Sequence, residues 1–369
     1  MKKRILAGLL AASLLLTGCS ALLEREYSLV TTHNTNLTAE GDPSVLRAES
    51  YQELVNALIF FINLGTESGT IRLYLSAEEV ESALEGACLE VIQEDPLGAY
   101  AVEHIKYDLS SIVTYYEADI HITYRRTREQ VASIVSATGA TAIRSELESV
   151  LARFDSEQAL RISYFDGDED YIRALCHQAY YAAPSAALDL PNIQVFLYPE
   201  TGRQRIVEVL LTYHLDKQEL TRRQALLAER SQELSRPLTY LQRDEQLLAA
   251  AQAVLEAGGP LPEGGSTPYH ALLEGGADSQ GLALAMALLC QELELDCRVV
   301  PGQLEGQPHF WTVVSTESGW QHLDLSQSPA QDDGFRSDLD MEGAGYTWDR
   351  DAFPACGPAD GSALSPSEP

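Results

Sequence analysis

The 369 residues leave room for two or three domains, and 45% hydrophobic content is ordinary for a chain that buries real cores. A formal net charge of -30 excludes nucleic acid or an anionic membrane as a ligand of the surface at large. Lysine occurs only at Lys2, Lys3, Lys106 and Lys217, so arginine carries nearly all the positive charge.

Lys2-Lys3-Arg4 is a charged start, Ile5 to Leu16 is apolar, and Leu16-Thr17-Gly18-Cys19 closes the run. The apolar stretch is too short for a stable span, so residues 1–18 read as a cleaved signal peptide. The last four residues resemble a bacterial lipobox. That resemblance implies diacylglycerol on the Cys19 sulfur, cleavage before it, and a lipid anchor to the cell membrane outside the cytoplasm. Ser20 follows, so no aspartate-type retention signal is present. Without its first eighteen residues the chain carries a charge of about -33. Cys88, Cys176, Cys290, Cys297 and Cys356 remain, with no C-x-x-C pair and therefore no zinc or redox motif. Cys88, Cys176 and Cys290 fall in apolar helical patterns and read as small core residues.

Residues 19–48 read as a tether with one strand, Tyr27 to Thr32. Residues 49–222 read as a duplicated small α/β module, with copies at about 49–132 and 140–222. Tyr74 and Tyr164, Ala83-Leu84 and Ala174-Leu175, Pro96 and Pro184, and Thr123-Tyr124 and Thr212-Tyr213 all recur about 90 residues apart. Each copy is expected as helix, strand, helix, strand, strand. The first has helices near 51–63 and 77–93 and strands near 70–75, 102–107 and 117–125. The second has helices near 144–154 and 168–182 and strands near 160–165, 193–198 and 205–214. Ala118, Ile120, Ile122 and Tyr124 alternate as a half-buried strand should. His104, His121, His177 and His214 do not recur at matching positions, and no chemistry is assigned to either copy.

Residues 223–356 read as a helical lead-in and a last domain. Leu220, Leu227, Leu234 and Leu241 form a seven-residue stripe that Pro237 interrupts. A helix over Gln246 to Ala257 ends at Gly258-Gly259-Pro260, and Pro260 to Pro268 is expected as a loop. A helix from Ser279 to about Leu295 puts Leu282, Met286, Leu289 and Leu293 on one face. Strands are expected at Arg298–Val300, His309–Ser315 and Trp320–Leu325, with a turn at Glu317-Ser318-Gly319. Residues 357–369 form a Pro/Ser/Gly tail expected to be disordered.

A turn near Glu317 places Asp324 directly opposite His309, roughly 5 Å away between Cβ atoms, close enough to orient an imidazole. Ser279 opens a helix and so meets the positive end of its dipole. A nucleophile at a helix start, a histidine on one strand and an acid on the next follow the logic of a catalytic triad.

From Thr267 to about Cys356 the chain resembles the transglutaminase-like superfamily, a branch of the papain-like cysteine fold. Tyr269 to Ala283 is similar to that family's Tyr-Gly-x-Leu-x-x-Gly-x-x-x-Cys-x-Gly-Tyr-Ala segment. His309-Phe310-Trp311 is similar to its His-Ala-Trp, and Gly319 to Asp324 to its Gly-x-Trp-Tyr-x-x-Asp. Ser337-Asp338, Tyr346 to Asp349 and Phe353-Pro354-x-Cys356 resemble a C-terminal extension of extracytoplasmic members. With the duplicated α/β module read from the repeat, the resemblance implies an α+β fold in which that module is followed by a transglutaminase-like domain. It also implies a nucleophile attacking an amide carbonyl, with His309 as its partner and Asp324 orienting His309.

The family's cysteine falls on Ser279 and its following tyrosine on Leu282. A thiol of ordinary pKa about 8.5 is ionised in advance by a histidine and a helix dipole. A serine hydroxyl needs its proton removed in the transition state. Serine is also a good helix cap, as is Asp278. Cys290 lies roughly 16 Å along the helix and cannot replace the thiol. His309, Asp324 and His322 have no known ligand spacing, so neither a metal nor a cofactor is expected.

The expected function is a lipid-anchored extracytoplasmic lipoprotein with a degenerate, non-catalytic domain that binds a peptide, a wall component or an envelope protein. The alternatives are a Ser279–His309–Asp324 hydrolase or acyltransferase on amide or ester bonds, and a purely structural spacer.

Overall fold

The computed structural model describes residues 44–327 and 334–357. The expected signal peptide, Cys19, the Tyr27 to Thr32 strand and all but the first residue of the tail lie outside the described residues. The fold is α+β, with helices layered on three sheets. Among the described residues, no helix is long and apolar enough to cross a membrane.

The chain divides by packing into two compact units, Met1–Val131 and Ala132–Pro369. In the first, strands β1 (Val45–Ala48), β2 (Ser68–Leu73), β3 (Val102–Ile112) and β4 (Tyr115–Tyr124) form a sheet in the order β1-β2-β4-β3. Helices α1 (Tyr51–Leu64), α2 (Val80–Gln93) and α3 (Pro96–Ala101) complete the unit. Ser50 caps α1 by accepting from the Glu53 N–H, and Gly65 closes it in the left-handed conformation at φ 62°. Ala118, Ile120 and Ile122 of β4 are buried, as the alternation requires. Pro96 does not end a helix. It is the first residue of α3, where its missing N–H costs no hydrogen bond, and Asp95 caps that helix.

The second unit starts with β5 (Val135–Ala137), α4 (Gly139–Ala152), β6 (Glu157–Ile162), α5 (Glu169–Ala182), β7 (Asn192–Tyr198) and β8 (Arg205–Thr212). Its sheet has the order β5-β6-β8-β7, with the first pair parallel and the others antiparallel, as in the first unit. The opening strands β1 and β5 are too short to show an alternating pattern, which is why the sequence reading lacks them.

Helices α6 (Lys217–Ser235) and α7 (Arg243–Ala257) follow, then β9 (Pro260–Gly265), α8 (Pro268–Leu273) and α9 (Ser279–Glu292). β9 stands where a loop was expected, and Pro260 and Gly265 both bridge to Ala277. The last sheet has the order β13-β12-β11-β10-β14, from β10 (Cys297–Leu304), β11 (Gln307–Thr316), β12 (Gly319–Leu323), β13 (Phe335–Arg336) and β14 (Tyr346–Trp348). A short helix, α10 (Asp338–Gly343), lies between the last two strands.

Helix α9 is the centre of this unit. Residues Gly281 to Cys290 are all buried. Leu282, Met286 and Leu289 enter one core with α6, α7 and α8. Ala283, Leu284 and Ala287 enter the core of the β5–β8 sheet, together with Val299 of β10. A helix apolar all round is a buried helix. The expected single apolar face was therefore half of what is there. The packing boundary falls after Val131, not after residue 222, because the second sheet shares its core with α9.

Candidate active site

Asp278, not Ser279, caps α9, and its Oδ1 accepts from the Gly281 N–H at 2.9 Å. Its Oδ2 accepts from the Ser266 hydroxyl at 2.5 Å. Gly281 allows this close approach, since a Cβ there would lie 2.6 Å from the Ala277 Cβ and 2.9 Å from two backbone oxygens. Ser279 is therefore the first helical residue, and its side chain is free of capping. Its hydroxyl instead accepts from the Phe310 N–H at 3.3 Å, which brings it beside β11 next to His309. Among the described residues, no hydrogen bond joins Ser279 to His309.

The hairpin register is Thr312 opposite Leu323 and Thr316 opposite Gly319. Continued, it puts Asp324 opposite Trp311, two residues from the expected partner. The turn is tighter than expected, with Gly319 at φ 121°. A two-residue shift keeps every side chain on its face. Asp324 therefore still meets His309, diagonally, with His309 Nε2 to Asp324 Oδ2 at 2.6 Å.

Asp324 also accepts from the Tyr346 hydroxyl at 2.8 Å, and from the Ser326 hydroxyl and N–H at 2.7 and 2.9 Å. Burial by itself would raise this carboxyl. The hydrogen bond and charge of His309, with Ser326 and Tyr346, outweigh it and hold the group below its ordinary value. A carboxylate only accepts, so His309 Nε2 carries a proton and donates it to Asp324. Burial pushes the Tyr346 hydroxyl up, and Asp324 pushes it further, so Tyr346 stays a donor.

A second histidine supports the first. Trp311 is buried and stacks on His309 at 6.3 Å. Its indole N–H donates to His322 Nδ1 at 2.9 Å, and His322 Nε2 meets Asp338 Oδ1 at 2.8 Å. Burial lowers the His322 pKa and Asp338 only partly restores it, so the ring is held neutral. The ligand atoms of His322, Asp338 and Cys356 lie within 4.8 Å of one another, a possible cation cluster. The indole N–H reserves the Nδ1 lone pair, so Nε2 must keep its proton and cannot ligate. That donor set does not fit a metal.

The spacing paired His309 with Asp324, the resemblance added Ser279, and neither found Tyr346, Ser326 or the Trp311–His322–Asp338 chain. Only the crowding of tryptophans in the last third signalled that chain. The sequence also gave no sign that α5 reaches the site, where the Tyr181 ring packs on Phe310 at 5.6 Å. The arrangement is an oriented imidazole beside a hydroxyl at a helix start.

No protein-family profile and no curated protein matches the chain. Among solved structures it is similar to a transglutaminase at 14% identity, covering 64% of this chain and 68% of the other, with a TM-score of 0.27. A candidate cysteine protease of Cytophaga hutchinsonii matches at 13% identity over 42% of this chain and 70% of the other, TM-score 0.24. A candidate protease of Parabacteroides distasonis matches at 11% identity over 71% of this chain and 40% of the other, TM-score 0.22.

Proposed function

We propose that the chain is a lipid-anchored extracytoplasmic lipoprotein. In this reading its last domain is transglutaminase-like, has lost its thiol, and binds a peptide, a wall component or an envelope protein in the groove beside Ser279. One observation carries the reading. The acid–histidine half of the site is fully built, while the nucleophile position holds a serine hydroxyl that accepts from Phe310 N and makes no hydrogen bond to His309. A thiolate would form in advance at such a position; a serine alkoxide does not. The Asp278 carboxylate beside Ser279 opposes negative charge there as well.

The enzymatic alternative has its own support, because Asp324 orients the His309 ring through Nε2 and leaves Nδ1 as the nitrogen a general base would use. An acyl or phosphonate probe separates the two. The binding reading expects no labelling of Ser279. Labelling that disappears in His309→Ala establishes a serine hydrolase or acyltransferase instead. In Ser279→Cys, new amidase or transamidase activity shows a site disarmed only at its nucleophile. The anchor is tested by replacing Cys19 with Ser, which should release the chain from the membrane fraction.

A further inference from the structure

β3 is the last strand of the β1-β2-β4-β3 sheet, so its outer N–H and C=O groups have no ladder partner among the described residues. It is 11 residues long, whereas its counterpart β7 in the second sheet has 7 and carries no charge. An open edge of that length is a template for another strand.

The two faces of β3 differ. Ile105, Tyr107 and Leu109 stand opposite Ile122, Ile120 and Ala118 of β4 and share their apolar face. The β4 residues are buried, while those of β3 are only half-buried. The apolar layer therefore runs past its cover at this edge. The other face carries Lys106 and Asp108, both exposed. Among the described residues, the Lys106 ammonium makes no hydrogen bond or ion pair. Asp108 stands opposite Asp119, and like charges directly across a ladder repel. His121 Nε2 lies 3.9 Å from Asp108, beyond hydrogen-bond reach.

A lone lysine on an edge strand discourages pairing. Here Lys106 and Asp108 flank Tyr107, which makes the strand complementary to itself. Two antiparallel copies of β3 with a two-fold axis at Tyr107 place Lys106 of each opposite Asp108 of the other. The same register places Ile105 opposite Leu109. Directly opposed residues share a face, so two charge pairs form on the polar side and the half-buried residues meet on the apolar side.

We infer that the chain forms a two-fold dimer through β3, its partner being a second copy of the same chain. The contact is isologous, each copy supplying one lysine and one aspartate. Each lysine relieves the Asp108–Asp119 repulsion of the other copy, and the two 4-stranded sheets run on as one.

The test is sedimentation velocity of the full chain carrying Cys19→Ser, so that no lipid drives association. A net charge of -30 opposes dimers, and salt at about 0.15 M screens it beyond about 8 Å. A monomer–dimer equilibrium with a Kd below about 100 μM is expected. Lys106→Asp and Asp108→Lys each turn two attractive pairs into two repulsive ones and should weaken the dimer about tenfold or more. Mixing these two variants opposes acid to lysine at both positions again and should restore dimers of mixed composition. Both substitutions in one chain should restore dimers as well. A variant that had lost its fold would not be rescued in this way.

A chain that stays monomeric at about 100 μM overturns the inference and leaves the edge to a strand of another protein. A dimer that both single variants keep, or that the mixture fails to restore, places the contact elsewhere and overturns it too.

Discussion

Two histidine–aspartate pairs stand in the same sheet, and they differ in one hydrogen bond. His309 and His322 each direct Nε2 to a carboxylate, at 2.6 and 2.8 Å. His322 also receives the Trp311 indole on Nδ1, so both its nitrogens are engaged and the ring is fully buried. His309 has no such donor on Nδ1 among the described residues, and it lies beside the Ser279 hydroxyl's partner, Phe310. The same two residue types thus make a ring held at both nitrogens in one place and a ring held at only one in the other. The lesson is that the second ring nitrogen decides which.

The largest expected effect is on stability. His322→Ala leaves the Trp311 N–H and Asp338 without partners and opens a cavity, for a loss of about 3–4 kcal/mol. Urea unfolding followed by tryptophan fluorescence reads it, since Trp311 and Trp348 both pack on His322. His309→Ala should cost less, because Asp324 keeps its Tyr346 and Ser326 donors when the ring is removed. If the order is reversed, the comparison fails.

Acid should reach the two pairs in sequence. The His322 pKa is lowered on folding, so the unfolded chain binds the proton first. Stability is present above the unfolded value of about 6.5 and falls as pH drops below it, by at most about 1.4 kcal/mol per unit. Asp324 is also lowered, so its contribution is present above an unfolded value of about 3.9 and is lost as pH falls through the folded value. His322→Gln should flatten the first limb of a stability–pH curve and leave the second. A first limb that persists assigns it elsewhere.

Tyr346→Phe removes one of four donors to Asp324 and should cost about 1 kcal/mol. It should also move the acid limb of Asp324 to higher pH, toward the His322 limb. Smallest of all, Ser279→Ala should change stability by less than about 0.5 kcal/mol, because Asp278 carries the cap. Asp278→Ala should cost about 1 kcal/mol. Equal losses in these two variants would show that Ser279 is structural.

Much of this site was legible from spacing. A hairpin with a known turn fixes which side chains share a face, so His309 and Asp324 could be paired before any coordinates, whereas Ser279 joined them only through the resemblance. The exact partner across the strand was not legible, because Gly319 tightens the turn and shifts the register by two. The strands β1 and β5 were also missed, since each is short and its burial is set by neighbours far along the chain. Tyr346 could not be assigned because it reaches Asp324 from a strand on the opposite side of β10.

The sequence by itself determined the periodic elements, the face each strand presents, and the serine that opens α9. These follow from local backbone geometry and from the identity of single residues. Only the tertiary structure decided that α9 is buried on two sides and that the second sheet module shares its core. Those facts depend on contacts between residues tens of positions apart, and hydrophobic burial, being non-directional, does not record its partner in the sequence.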